Sequence, residues 1–148
     1  MSSLFENIMQ VTASQADFIK LKALFEKGFS LNTIKTIPTG VDNECEWGMD
    51  NWGTDQDVCL SRDDEVLPFE LEMFFWTNIS PPKEALEELS RLFPEISIKL
   101  NFYNKEYKIA GEYVFAKGIC SGAETEDPEE VKKLAKEIHD DDWDEDEE

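Results

Sequence analysis

The segment from Leu67 to Trp76 constrains what this chain can fold into more than any other. Leu67, Phe69, Leu71, Met73 and Phe75 alternate with Pro68, Glu70, Glu72, Phe74 and Trp76. A period of two places each set on one face of a β-strand, whereas a helical stripe repeats every 3.6 residues or so. One face is wholly apolar and the other starts charged, which is the pattern of an antiparallel strand with one covered face. The second face turns aromatic at Phe74 and Trp76, so cover is expected at that end as well.

The remaining segments supply partners for this strand and a layer above it. Phe5 to Ala13, with Ile8, Met9, Val11 and Thr12, reads as a first strand. Ser14 is a good N-cap, Asp17 falls in the first turn, and Phe18, Leu21, Leu24 and Phe25 recur at helical spacing until Gly28. Phe29 to Ile37 reads as a short irregular strand ended by Pro38. Thr39 to Asp55 is rich in turn-forming residues and reads as a loop. Val58 and Leu60 then begin a strand that ends in a turn at Arg62-Asp63-Asp64-Glu65.

Beyond Trp76, Ser80 is expected to cap a helix with Pro81 at its first position, where a missing N–H costs nothing. Ala85, Leu86, Leu89, Leu92 and Phe93 form its apolar stripe, and Pro94 stops it. Ile96, Ile98, Leu100 and Phe102 alternate with polar residues up to a turn at Asn104-Lys105-Glu106. The chain returns through Tyr107, Ile109, Gly111, Tyr113 and Phe115, a hairpin signature.

The order of elements predicts an α+β fold: a ferredoxin-like antiparallel sheet with two helices on one face, plus an acidic C-terminal tail. Residues 1–120 would form the domain and residues 121–148 the tail. Within that tail, Val131, Leu134, Ala135 and Ile138 space a short helix over Pro128 to His139. Asp140 to Glu148, only acids and Trp143, are expected to stay disordered.

Charge narrows the classes of partner. The chain carries 34 acidic and 14 basic side chains, a net charge of −20. Such a surface repels phosphate, so direct nucleic-acid binding is not expected, and a protein with a basic surface fits better. No apolar run is long enough to span a bilayer, and the N-terminus lacks the basic start and apolar stretch of a signal peptide. No membrane role and a cytoplasmic location follow as expectations. Cys45, Cys59 and Cys120 are odd in number with no CxxC pair, which suits reduced thiols. With His139 as the one histidine, structural zinc is not expected, and no cofactor motif such as a glycine-rich phosphate loop is present.

Two pairs of motifs resemble a known family. Trp52-Gly53-Thr54-Asp55-Gln56-Asp57 and Phe75-Trp76-Thr77-Asn78-Ile79-Ser80-Pro81-Pro82 form one pair. Leu92-Phe93-Pro94-Glu95 and Gly111-Glu112-Tyr113 with Gly118 form the other. Together they resemble the YubB-type ferredoxin-like family of small plasmid- and phage-borne proteins, over roughly Phe5 to Gly118. The resemblance implies a fold and a mobile-element habitat, and brings no biochemical activity with it. The chain departs from the family at Asp55 and Gln56, where a basic residue and a second tryptophan are usual, and at Ile79, where tryptophan is usual.

Candidate site residues come from the same stretches. Trp47 and Trp52, with Asp55 and Asp57, form a candidate binding loop, and Trp76 adds an aromatic strand end. The plainer reading has the two loop tryptophans plugging one end of the sheet. Asp50, Asp55 and Asp57 do not have the spacing of a calcium loop, and Glu70 with Glu72 reads as the wet face of a strand. In the tail, Trp143 with Asp140, Asp141 and Asp142 is a second candidate for partner binding, beside a purely solubilising role. No nucleophile, base and orienting acid can be assembled, so catalysis is not expected. The function expected from the sequence is that of a non-enzymatic binding protein of a mobile genetic element. Its concrete form is an acidic, nucleic-acid-like inhibitor that occupies a basic site on a host defence protein. The alternatives are a small-ligand or nucleotide-binding domain using the Trp47–Asp57 loop, and an enzyme using loop carboxylates.

Overall fold

Strand β1 (Leu4–Thr12) pairs along both edges, with β3 (Glu70–Asn78) on one side and β4 (Ser97–Asn104) on the other. β2 (Cys59–Leu67) adds outside β3, and β5 (Ile109–Ala116) and β6 (Ile119–Thr125) extend the sheet beyond β4. The six strands run in the order β2-β3-β1-β4-β5-β6, and every pairing is antiparallel. This computed structural model describes residues 4–26, 28–67 and 70–139, with the backbone alone for residues 59–67.

Period-two alternation separates two faces. Phe5, Met9 and Val11 of β1, Leu71, Met73 and Phe75 of β3, and Ile98, Leu100 and Phe102 of β4 point to one side and form the main core. Four helices cover that side: α1 (Gln15–Leu24), α2 (Leu31–Ile34), α3 (Glu44–Asn51) and α4 (Lys83–Leu92). They contribute Leu21, Leu31, Ile34, Ala85, Leu86 and Leu89, and Trp52 follows α3 into the same core. Ser14 caps α1 as expected, its hydroxyl oxygen accepting from the Asp17 N–H at 3.2 Å.

The opposite face is covered too. α5 (Pro128–Glu137) lays Val131 and Ala135 against Tyr103 and Ala110, which point away from the main core. The expectation of helices on one face alone is therefore corrected. So is the boundary at residue 120, because β6 pairs with β5 through Thr125 and α5 seals a second, smaller core. Lys117 and Gly118, both at positive φ, make the two-residue turn that reverses β5 into β6. The buried Ser90 of α4 holds that turn, its hydroxyl oxygen accepting from the Gly118 N–H at 2.8 Å.

Local readings changed in four places. The stretch Phe29–Ile37 holds the short helix α2 in place of a strand, and the region read as a loop contains α3, started by the Asn43 side chain accepting from Glu46 N–H. Arg62-Asp63-Asp64-Glu65, read as a turn, lies inside β2 with register irregularities on both sides, and Leu67 belongs to β2. Ser80 does not cap α4; the helix begins at Lys83 after Pro82, while the Ser80 hydroxyl donates to the Gly53 carbonyl.

If α5 is an integral layer, Val131→Ala should lower stability by roughly 1–3 kcal/mol, between loss of one methylene and truncation of a leucine. Ile119→Ala, at a side chain 70% exposed, should stay within about 0.5 kcal/mol of the parent. Urea unfolding measures both; equal effects would mean that α5 adds nothing to the fold.

Candidate functional site

The Trp47–Asp57 segment is held from within. Trp52 is buried, its indole N–H donating to the Lys35 carbonyl at 2.9 Å, and Trp47 meets it edge-on with centroids 5.1 Å apart. Both oxygens of Asp57 are engaged: Oδ1 accepts from the Leu31 and Val58 N–H groups at 2.7 Å each, and Oδ2 from Ser30 Oγ at 2.7 Å and the Asn32 N–H at 3.1 Å. Asp55 accepts from the Asn78 side chain at 3.1 and 3.2 Å. Thr54 donates its hydroxyl proton to the Asn78 carbonyl, and the Ala85 N–H donates to the Trp52 carbonyl at 3.1 Å.

The Trp-Gly-Thr-Asp and Asn-Ile-Ser-Pro segments thus lace together, joining the end of α3 to the end of β3 and the start of α4. Gly53 sits at φ +89°, and a Cβ there would lie 2.9 Å from the Lys83 backbone nitrogen. The chain leaves β3 through Ile79 at φ +74°, an unfavourable conformation for a β-branched residue.

Trp76 lies on the other face and is not part of that knot. The strand register aligns Trp76 of β3, Glu6 of β1, Tyr103 of β4 and Ala110 of β5 in one cross-strand row. Trp76, Glu6 and Tyr103 of this row line a recess of about 290 Å³ together with Leu4, Asn104, Lys105 and Glu106. His139, two residues beyond the end of α5, lies against two of these lining residues. Its Nδ1 lies 2.9 Å from Glu6 Oε2, and its ring packs on Tyr103 at 5.3 Å between centroids. A carboxylate can only accept, so Nδ1 carries the proton. Asn104 is buried in the recess wall; its Oδ1 accepts from the Tyr107 N–H at 2.8 Å, and its Nδ2 has no hydrogen-bond partner.

Sequence reasoning missed Glu6, Tyr103, Asn104 and His139 as a group because register alone brings them together. One signal was available. Val131, Ala135 and His139 are spaced by four, so His139 continues the buried stripe of α5. The tail candidates Trp143, Asp140, Asp141 and Asp142 lie outside the described residues.

A third cluster lies on the main-core side, where Lys83 stands over the Tyr113 ring at 5.8 Å. Burial, followed by the charge of Glu124, pushes the Tyr113 hydroxyl above its ordinary range. Burial likewise pushes the Cys120 thiol up, against the lowering effect of Lys83. Both shifts favour the protonated forms, which are the poor nucleophiles. Among the described residues, no group of three or more His, Cys, Asp or Glu side chains is placed to hold a metal ion. No described helix is long and apolar enough to cross a membrane.

Comparison with family models finds no match, and comparison with curated proteins finds none either. Among solved structures, the fold is similar to the crystal structure of a protein api92 from Yersinia pseudotuberculosis, described under the family model DUF1281. The TM-score is 0.51 at 20% identity, over 64% of this chain and 34% of that one. The match therefore spans about a third of the neighbour's length, and at that identity it is a likeness of fold alone.

Two measurements follow. Asp57→Ala leaves the N–H groups of α2 without their acceptor and should cost roughly 1–3 kcal/mol in denaturant unfolding; no loss would free Asp57 for another role. Because the folded-state pKa of Tyr113 lies above the ordinary value of 10.0, the unfolded chain gives up that proton first as pH rises. The contribution of Tyr113 is therefore full below pH 10 and is lost as pH rises through the folded-state value. Tyr113→Phe should flatten part of the alkaline decline in thermal midpoint, and an unchanged pH profile would contradict the shift.

Proposed function

We propose that this chain is a non-enzymatic binding protein of a mobile genetic element that presents carboxylates to a basic surface on a partner protein, a surface that otherwise receives nucleic acid. Inhibition of a host defence nuclease is its concrete form. One observation carries the reading. From Glu124 to Glu130 the end of β6, the link that follows and the first turn of α5 carry five exposed carboxylates in seven residues: Glu124, Glu126, Asp127, Glu129 and Glu130. They lead directly along α5 toward the acid-rich end of the sequence. A net charge of −20 makes encounter with basic surfaces fast and salt-sensitive. A cytoplasmic location belongs to the same proposal.

The fold reading behind it is a ferredoxin-like core. The strand order β2-β3-β1-β4, with helical crossovers after β1 and β3, supports that assignment for the first four strands. β5, β6 and α5 are then additions along the β4 edge. The mobile-element setting is supported by the resemblance of the Trp-Gly-Thr and Ser-Pro-Pro motifs to the YubB-type family. The alternative, a small-ligand or nucleotide site in the Trp47–Asp57 segment, is weakened because Trp52 is buried and both Asp57 oxygens are already bonded.

The test compares the full chain with a variant carrying Glu126→Gln, Asp127→Asn, Glu129→Gln and Glu130→Gln. Asp127 makes no side-chain capping bond to α5, so the variant is expected to fold. The full chain should retain a nucleic-acid-binding protein from bacterial lysate at low salt, release it at high salt, and lose it to added DNA or RNA. The variant should bind at least about tenfold more weakly, or 1.4 kcal/mol. Retention that survives both neutralisation and competitor nucleic acid overturns the reading.

A further inference from the structure

β6 ends the sheet: among the described strands it pairs with β5 alone, from Ile119 to Thr125. The outer row of backbone N–H and C=O groups on such a strand is a template for another strand, and edges are commonly guarded by proline, lysine, bulges or shortness. β2, at the opposite edge, breaks register twice and carries Arg62-Asp63-Asp64-Glu65 in its sequence. β6 is guarded much less. Its seven residues, Ile-Cys-Ser-Gly-Ala-Glu-Thr, contain neither proline nor lysine and keep one register with β5 throughout. Ser121, Gly122 and Ala123 are small and exposed, so little side chain stands in the way of an incoming strand.

A groove of about 350 Å³ adjoins this strand. It is lined from β6 by Ala123 and Glu124, from β5 by Glu112, and from α5 by Glu130, Lys133 and Leu134. A strand added to β6 would lie about 4.8 Å outside it, with alternate side chains turned to the α5 face. The carboxylates of the lining outnumber Lys133, and Glu112 already has Lys99 at 3.4 Å, which shows how a cation is received there. Leu134 offers apolar surface to the stem of a long basic side chain whose head reaches the acids. A second copy of this chain fits poorly, because it would set Glu124, Glu126 and Asp127 beside another set of carboxylates.

We propose that the outer edge of β6 takes an extended segment of a basic partner protein as a further strand, with a lysine or arginine of that segment in the groove beside Glu112 and Glu130. Backbone hydrogen bonds supply the affinity and the groove supplies the selectivity. The basic character of the partner rests on the function proposed above; the open edge does not.

The experiment titrates the full chain with a peptide of alternating lysine and threonine, as long as β6, and follows backbone amides by NMR and hydrogen exchange. Amides of Ile119–Thr125 should shift, and some should exchange at least about tenfold more slowly with the peptide bound. The same peptide with methylated backbone nitrogens keeps its charge and loses its donors, and should bind at least about tenfold more weakly. Ala123→Lys, at an exposed position in the groove, should weaken the unmodified peptide by a similar factor. Equal binding of the two peptides with unmoved β6 amides overturns docking at the edge and leaves the charge-based reading intact, since that reading fails separately, in the capture experiment with competitor nucleic acid. No binding of the unmodified peptide overturns the proposal as well. Protection of β6 amides that rises with protein concentration alone also overturns it, because a second copy would then fill the edge.

Discussion

β1 is hydrogen-bonded along both edges, and its alternation fixes what lies on either side of the sheet. Phe5, Met9 and Val11 commit one side to the main core. Glu6 and Ile8 commit the other side to a mixed surface that needs partial cover. A slip of one residue would exchange these sets and bury Glu6 and Gln10 under the helices. The buried Asn7 helps to hold the register, its amide donating to Thr77 Oγ1 of β3 at 2.9 Å. The Trp76–Glu6–Tyr103–Ala110 row, the recess above it and the seating of α5 all depend on this one alignment.

The elements that could be read in the sequence were those whose local pattern agrees with their tertiary role. β3, β4 and β5 alternate clearly, and α1 and α4 carry apolar stripes at helical spacing. α3 was hidden because glycine, asparagine and aspartate in Glu44–Asn51 signal turns, and the helix persists there because Trp47 and Trp52 find a core to enter. β6 was hidden for a different reason. Its sequence, Ile-Cys-Ser-Gly-Ala-Glu-Thr, has little apolar surface, and pairing with β5 holds it more than burial does. Acidity near the C-terminus then made a structured layer look like a tail. The candidate site was least legible of all, since residues 6, 76, 103 and 139 meet only through register and through the path of α5.

The molecule separates two uses of charged groups. Among the described side chains most carboxylates lie outward, as along α3 and around the β6–α5 link, where water solvates them. Glu6 and Asp57 are different: each is drawn partly inward and is supplied with donors, from His139 in one case and from the N-terminus of α2 with Ser30 and Val58 in the other. These inward acids fasten distant parts of the chain, 133 residues apart for the Glu6–His139 pair. The outward acids are the ones available to anything that approaches from solution.

The central place of β1 also governs the order in which the molecule can assemble. Its partners lie at 70–78 and 97–104, so β1 has neither sheet partner until about residue 78 has been made. At about 5–20 residues per second, the wait from residue 12 to residue 78 lasts several seconds. During that interval Phe5, Ile8, Met9 and Val11 are exposed beside two unpaired strand edges, the usual conditions for sticking to neighbours. Pairings that close such long loops also form slowly. By residue 78 the nascent chain carries 14 acidic and five basic side chains, a net charge of −9, so copies already repel one another before the sheet has closed.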